Sequence, residues 1–197
     1  MLIARLRRRL AQVAMRIVQR VRIIWYAALS TNAAVGRPVL HQPLQISGRG
    51  TIRFQPNVRI GVFPSPGFLD CYAYIEARNP RAQISFGSGT WINNGFRCIA
   101  EHSSISIGEN CLIGTSVEIL DSDFHGIGLH ERGISKPEWA APVVLEDNVF
   151  VGSNVRILKG VRNGAGSVIA NSSVVIADVP PRVVAAGVPA KVIRSIA

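Results

Sequence analysis

The fold is decided by residues 143–177, which read VVLEDNVFVGSNVRILKGVRNGAGSVIANSSVVIA. An aliphatic side chain returns every six residues in this stretch, and only Asn163 breaks the series. The repeating slot is held by Leu145, Val151, Ile157, Ile169 and Val175. This period fits neither the roughly 3.6 residues of a helical turn nor the alternation of a strand. It is typical of a parallel β-helix, in which each flat face is a short strand and the repeated side chains form ladders inside a prism.

The same period recurs upstream. Its members are Phe86, Ile92 and Cys98, then Ile107, Ile113 and Ile119, and more weakly Ile46, Ile52 and Val58. The step from Cys98 to Ile107 is nine residues, which predicts an insertion or bulge there. We therefore predict an all-β solenoid over residues 84–178 with a loop at 125–142. Irregular early coils and a loop occupy 31–83, and a tail occupies 179–197. A hydrophobic content of 48% with 18 glycines suits one elongated domain of this kind.

The net charge of +10 is distributed unevenly. Residues 1–69 contain eleven arginines, no lysine and no acidic residue, and the first carboxylate is Asp70. Residues 1–30 are predicted to form a basic amphipathic helix, because apolar side chains recur there at spacings of three and four. The apolar runs are far shorter than the ~18 residues that span a bilayer, and arginines interrupt the core that a signal peptide needs.

The sequence is compatible with two kinds of surface against which this helix could lie. Residues 1–26 could lie in the interface of an anionic membrane, which would place a cytoplasmic protein on the inner face of that membrane. Alternatively, the helix packs on the solenoid or on a neighbouring subunit. A nucleic-acid partner is not expected, because no recognised reading module accompanies the charge. Cys71, Cys98 and Cys111 have no metal-type spacing and are odd in number, which indicates reduced, mostly buried thiols in a cytosolic protein.

The chemistry is predicted to lie where the repeat stops. The cluster DSDFH at 121–125 ends in His125, and an irregular stretch with several glycines and prolines follows as far as Pro142. A long excursion from a regular solenoid is where a binding loop is expected. A neutral imidazole is also well matched to accept a proton from a hydroxyl at neutral pH.

Four segments carry a resemblance to a known family. They are ISIGENCLIG at 105–114, DSDFH at 121–125, APV at 141–143 and VPPRVVAAGVPAKVIR at 179–194. Together they resemble the hexapeptide-repeat acyltransferases, above all the sugar and polysaccharide O-acetyltransferases of the maltose, galactoside and lipopolysaccharide groups. The resemblance covers about residues 84–197 and leaves the first 80 residues unexplained. It implies a left-handed parallel β-helix, a homotrimer, and acetyl-CoA bound in a groove between two subunits.

The resemblance also implies site residues. His125 matches the catalytic histidine and would act as general base, with Asp123 or Asp121 orienting its ring unless that aspartate caps the turn. The positions matching acceptor contacts are Asn94, Glu101 and His102. The positions matching contacts to acetyl-CoA are Gly152, Ser153, Asn171, Lys191 and Arg194. Ser153 would meet the oxyanion through its backbone N–H or its hydroxyl. A left-handed turn role for Asn94 is the alternative.

Other functions share this solenoid. His102, His125 and His130 are similar to the three-histidine zinc site of gamma-class carbonic anhydrases, but His125 opens an irregular loop instead of lying on a regular coil, so no metal is expected. Xenobiotic (antibiotic) acetyltransferases and a non-catalytic, membrane-associated scaffold are further alternatives. The favoured acceptor is a carbohydrate in a cell-envelope polysaccharide or glycolipid precursor, because a basic amphipathic N-terminus would hold the enzyme where lipid-linked sugars are built.

Overall fold

In the computed structural model, which describes residues 2–196, short strands stack in parallel through three faces of a left-handed β-helix, and the last strand runs antiparallel to the one before it. Face 1 consists of β1 (Ala34–Val35), β4 (Thr51–Phe54), β7 (Gln83–Phe86), β10 (Ser104–Ile107), β13 (Val143–Leu145) and β16 (Arg162–Asn163). Face 2 consists of β2 (Val39–Leu40), β5 (Arg59–Ile60), β8 (Trp91–Ile92), β11 (Leu112–Ile113), β14 (Phe150–Val151), β17 (Val168–Ile169), β19 (Val183–Gly187) and β20 (Ala190–Ser195). Face 3 consists of β3 (Leu44–Gly48), β6 (Ala73–Ala77), β9 (Arg97–Ala100), β12 (Glu118–Leu120), β15 (Arg156–Ile157) and β18 (Val174–Val175).

The six-residue slots form ladders in the interior, as the sequence predicts. On face 2, Ile60, Ile92, Ile113, Val151 and Ile169 pair in consecutive registers and are buried. Each such side chain contributes about 1.5–3 kcal/mol by leaving water. The ladders therefore supply the main force that closes the prism.

Face 1 contains the exception. Asn163 pairs with Leu145 in the ladder register and is fully buried, and neither its Oδ1 nor its Nδ2 has a hydrogen-bond partner among residues 2–196.

The coils begin further upstream than residue 84. Strands β1 to β6 lie within 31–83 and keep the register of the later coils, since Phe54 pairs with Phe86 and Ile60 pairs with Ile92. Residues 61–72 leave the solenoid between β5 and β6. The nine-residue step after Cys98 falls at the turn from face 3 to face 1, where residues 101–103 provide the extra length. Cys98 itself occupies a face 3 ladder slot, and burial raises the pKa of its thiol.

Helix α1 (Leu2–Ala28) docks through its polar side. Gln19 is buried and donates from Nε2 to the Phe68 carbonyl, and Arg22 donates to the carbonyls of Phe68 and Cys71 at 3.2 and 2.7 Å. The Tyr26 and Tyr72 rings lie 4.5 Å apart. These contacts hold the helix against residues 61–72.

The apolar stripe of α1 points away from the solenoid. We define this outer stripe as Ile3, Leu6, Leu10, Val13, Ile17, Val21 and Ile24, which are all at least half exposed. In the part of the chain that the structure describes, no helix is long and apolar enough to cross a membrane. The alternative in which this stripe packs on the chain's own solenoid does not match the observed orientation.

Candidate active site

The predicted site residues lie at two different edges of the prism. Edge 2/3 consists of the turns from face 2 to face 3, and edge 3/1 consists of the turns from face 3 to face 1. His125, Asp123, Glu101 and His102 lie at edge 3/1, because they follow β12 or β9. The other set, Asn94, Gly152, Ser153 and Asn171, lies at edge 2/3. Lys191 and Arg194 lie on β20 at the end of face 2. A single chain therefore does not bring the two sets together.

Asp121 caps edge 3/1. Its carboxylate is fully buried and accepts hydrogen bonds from the backbone N–H groups of Glu101, His102 and Ser103 at 2.7, 3.2 and 2.7 Å. Burial raises the pKa of this carboxyl group, and the three N–H donors oppose that effect. Of the two roles considered for Asp121, the structure therefore favours capping over orientation of His125.

The loop at 121–142 is tied at its base. Ser122 forms an antiparallel bridge with Ala140, and the Ala141 N–H donates to the Asp121 carbonyl at 2.8 Å. Within the loop, Gly126 is buried so tightly that a Cβ atom there would lie 2.3 Å from Glu131 Cβ. His125 precedes this glycine and is exposed, and its backbone N–H donates to the Asp123 carbonyl at 2.7 Å. The imidazole is thus presented to solvent from a fixed backbone.

Lys159 clamps both arms of this loop. Its Nζ donates to the Asp123 carboxylate and, at 2.7 Å, to the Trp139 carbonyl. In this structure, Asp123 pairs with Lys159 and not with the His125 ring. The sequence did not single out Lys159, because a lysine in a turn of a solenoid resembles any solvated surface residue.

Glu101 belongs to a buried polar network beneath the loop. It is 4% exposed, and it accepts from Ser122 Oγ at 2.7 Å and from Arg78 at 3.3 Å. Arg78 also pairs with Glu76 at 3.0 Å and lies over the Phe124 ring at 4.9 Å. The hydrogen bond to Glu76 is the main reason that the pKa of Arg78 is raised. The network fixes Phe124, the residue that directly precedes His125.

The two other predicted acceptor residues have defined partners. The His102 Nδ1 lies 3.3 Å from Asn79 Nδ2, and Asn79 also donates to the Glu101 carbonyl at 2.8 Å. Asn94 is 1% exposed; its Oδ1 accepts from the Val62 N–H at 3.1 Å, and its Nδ2 donates to the carbonyls of Val62 and Pro66 at 3.0 and 2.9 Å. Both ends of the Asn94 amide therefore hold the loop at 61–72, and the geometry favours this anchoring role over an acceptor contact.

At edge 2/3, the Asn171 side chain covers a backbone donor. The Ser153 N–H donates to Asn171 Oδ1 at 2.8 Å, so this N–H is not free to meet an oxyanion. Ser153 Oγ accepts from the Thr115 N–H at 3.3 Å, which leaves the hydroxyl hydrogen available. Gly152 is required by this stacking, since a Cβ atom there would lie 2.4 Å from Asn171 Oδ1.

The C-terminal basic residues lie at the end of face 2, on the strand that pairs with β19. Lys191 and Arg194 are exposed on β20, and neither forms a salt bridge within residues 2–196. Their charges are therefore free to meet an anion. As for metal sites, no group of three His, Cys, Asp or Glu side chains in the described chain is placed to hold an ion.

The chain is similar to several known acetyltransferases, although no protein-family profile matches it. It is 38% identical over 129 residues to the galactoside O-acetyltransferase of Escherichia coli, an alignment that covers 63% of this chain and 61% of that enzyme. It likewise covers 61% of a putative acetyltransferase of Saccharomyces cerevisiae, but only 30% of the 2,3,4,5-tetrahydropyridine-2,6-dicarboxylate N-acetyltransferase of Clostridium perfringens that it also matches. The solved polySia specific acetyltransferase NeuO is 30% identical with a TM-score of 0.57, over 80% of this chain and 71% of that one. The chain belongs to the hexapeptide-repeat acetyltransferase family.

Membership of the hexapeptide-repeat acetyltransferase family confirms the resemblance drawn from the four motifs and the β-helix predicted from the six-residue period. One solved structure is a galactoside acetyltransferase in complex with coenzyme A. It is 35% identical to this family member with a TM-score of 0.51, over 58% of this chain and 56% of that one.

Proposed function

We propose that the protein transfers an acetyl group from acetyl-CoA to a hydroxyl of a sugar in a cell-envelope polysaccharide or glycolipid precursor. The observation that carries this proposal is the exposed His125 imidazole, held by a clamped loop in a chain whose relatives include sugar O-acetyltransferases. The coenzyme A bound to a galactoside acetyltransferase of similar fold supports the choice of donor.

His125 is the proposed general base. The sugar hydroxyl oxygen attacks the thioester carbonyl carbon while its proton passes to the imidazole. The tetrahedral intermediate then expels the thiolate of CoA, which takes the proton from the imidazolium. No covalent enzyme intermediate is required, because the thioester is already activated. Asp123 acts through Lys159 to position the loop that carries His125.

The oxyanion donor is proposed to be the Ser153 hydroxyl. The Ser153 N–H is already engaged by Asn171 Oδ1, whereas the hydroxyl hydrogen meets no acceptor in the part of the chain that the structure describes. A donor aimed at the developing charge is worth several kcal/mol in a site of this kind. Lys191 and Arg194 would bind the phosphates of CoA.

A homotrimer would complete this site. His125 and Ser153 belong to different edges of the same prism, so the base and the oxyanion donor of one chain do not face each other. Three prisms around an axis parallel to their own axes would place edge 3/1 of one subunit against edge 2/3 of the next. The acetyl-CoA groove would then lie between two subunits.

The outer stripe of α1 is proposed to lie in the inner face of an anionic membrane, which would keep a cytoplasmic enzyme close to its acceptor. Four exposed arginines, Arg5, Arg7, Arg8 and Arg9, lie in the first turns of this helix outside the groove, and residues 1–69 contain no carboxylate. Stripe-to-stripe contact between copies would bring arginines together without a neutralising partner, whereas anionic headgroups supply one. These charges favour a membrane over a second copy of the helix.

The test measures CoA release from acetyl-CoA with a panel of sugar acceptors, including glycolipid precursors. We expect His125→Ala to lower turnover at least 100-fold with little change in acetyl-CoA affinity. The matched control is His130→Ala, which removes another exposed histidine from the same loop and should retain turnover. Equal turnover by the wild type and His125→Ala, with the best acceptor of the panel, would refute the role of His125.

A further inference from the structure

A groove of about 500 Å³ runs between α1 and face 2. Its helical wall includes Met15, Arg16, Arg20 and Ile23, and its opposite wall is formed by face 2 and the first part of the loop at 61–72. The helix is held across this space by Gln19 and Arg22, whose hydrogen bonds to the loop lie at its margin. The groove therefore exists only because α1 docks against the loop at 61–72 and supplies one of the two walls.

The walls of the groove are amphipathic. Phe63, Phe68 and Trp91 contribute an apolar surface, and the Phe63 and Phe68 rings lie 5.1 Å apart. Arg16 and Arg20 contribute the charge, and no acidic side chain is among the lining residues of the described chain. An anionic group with an attached hydrocarbon chain matches this combination, because the guanidinium groups bind phosphate and the aromatic rings bury alkyl surface.

The groove leads towards edge 2/3. Val62 and Trp91 also line a shallower depression that continues over Leu112 and Phe150 to Gly114. Gly114 stacks directly on Gly152, since a Cβ atom on Gly114 would lie 2.6 Å from the Gly152 carbonyl carbon. The helix that forms the other wall of the groove carries the outer stripe on its opposite side. The groove therefore lies between the helix that is proposed to dock on the membrane and the edge that carries the proposed donor site.

We infer that this groove binds a lipid phosphate, with the phosphate at Arg16 and Arg20 and the hydrocarbon chain against Phe63 and Phe68. A sugar carried on that phosphate would extend along Trp91 and Phe150 towards Ser153. The sugar-carrying part of the inference rests on the proposed function, whereas binding of the lipid phosphate itself does not. A membrane lipid is favoured over a soluble phosphate, because most of the lining is apolar.

The inference is tested by calorimetric titration of the full chain with dodecyl phosphate. The dodecyl phosphate concentration is kept below the value at which this amphiphile forms micelles. We expect saturable binding of one molecule per chain, at least 10-fold tighter than that of inorganic phosphate or of dodecyl maltoside. The double variant Arg16→Gln with Arg20→Gln should weaken binding at least 10-fold, and Phe63→Ala should weaken it several-fold. The control Arg7→Gln with Arg9→Gln removes the same charge outside the groove and should change the affinity less than twofold.

Two results would overturn the inference. One is an equal loss of affinity in the two double variants, which would indicate adsorption through net charge. The other is the absence of saturable dodecyl phosphate binding by a protein that still binds acetyl-CoA, a result that would leave the proposed function intact. If the wild-type protein binds dodecyl phosphate but neither binds acetyl-CoA nor turns it over, the proposed function is rejected and the inference about the groove stands. Circular dichroism of each variant verifies that the fold is unchanged.

Discussion

At the scale of single residues, two aspartates of the DSDFH cluster have separate tasks. Asp121 is buried and satisfies three backbone N–H groups, whereas Asp123 is exposed and pairs with Lys159. We expect Asp121→Ala to lower the free energy of unfolding by roughly 3 kcal/mol, because the edge 3/1 donors lose their acceptor. The matched change Asp123→Ala should cost less than about 1 kcal/mol, since its partner remains solvated. Urea unfolding of both variants provides the measurement, and similar losses would contradict the capping role.

Asn163 is the residue that interrupts the ladder. Its buried amide has no hydrogen-bond partner among residues 2–196, and Asn163→Leu restores the aliphatic slot with a side chain of the same branching and the same number of heavy atoms. We expect this change to raise the free energy of unfolding by about 1–2 kcal/mol. The reciprocal change Leu145→Asn, one coil away in the same ladder, should lower it by about 3 kcal/mol. A destabilised Asn163→Leu variant would contradict this account of the unpartnered amide.

At the scale of elements, the turns between consecutive coils are tied by charged pairs. Glu146 accepts from Arg162 at 2.7 Å and from the Ala165 N–H at 2.8 Å, and the Arg162 hydrogen bond is the main cause that lowers the pKa of Glu146. A lowered folded-state pKa means that this stabilisation is complete above the unfolded value of 4.5 and is lost as the pH falls through the folded value.

The pH dependence tests this tie. The stability advantage of the wild type over Glu146→Gln should be greatest at neutral pH and should shrink as the pH falls below about 4.5. Chemical unfolding at a series of pH values measures it. An advantage that stays constant down to pH 3 would show that the Glu146 charge does not stabilise the fold.

Helix α1 leaves its outer stripe exposed, and the proposed partner of this stripe is an anionic membrane. Ile17, which is 59% exposed, lies in this stripe, and we expect Ile17→Asn to weaken binding to anionic liposomes about 10-fold. Ala11→Asn places the same side chain on the helix outside the stripe and should leave binding within about twofold. Co-sedimentation with vesicles measures both. Equal binding by the wild type and Ile17→Asn, or by a variant without residues 1–30, would contradict membrane docking.

At the scale of the whole molecule, local periodicity predicted the architecture. The six-residue slots predicted the ladders. The DSDFH cluster at the start of an irregular loop indicated His125 as the candidate base. The clamp formed by Lys159 could not be predicted, because its partners lie 36 and 20 positions away along the chain and are brought close only by coil stacking. The cover that Asn171 provides for the Ser153 N–H depends in the same way on the next coil. Early coils were hard to recognise because the loop at 61–72 interrupts their period.

At this scale the proposed function has one central requirement: the candidate site is divided between two edges of the prism, so a neighbouring subunit would have to complete the donor groove. Calorimetric titration of the purified protein with acetyl-CoA tests this account most directly. The account predicts saturable binding of one acetyl-CoA per chain with micromolar affinity, competed by CoA and weakened by Arg194→Gln. A protein that is folded and trimeric but binds no acetyl-CoA would contradict it.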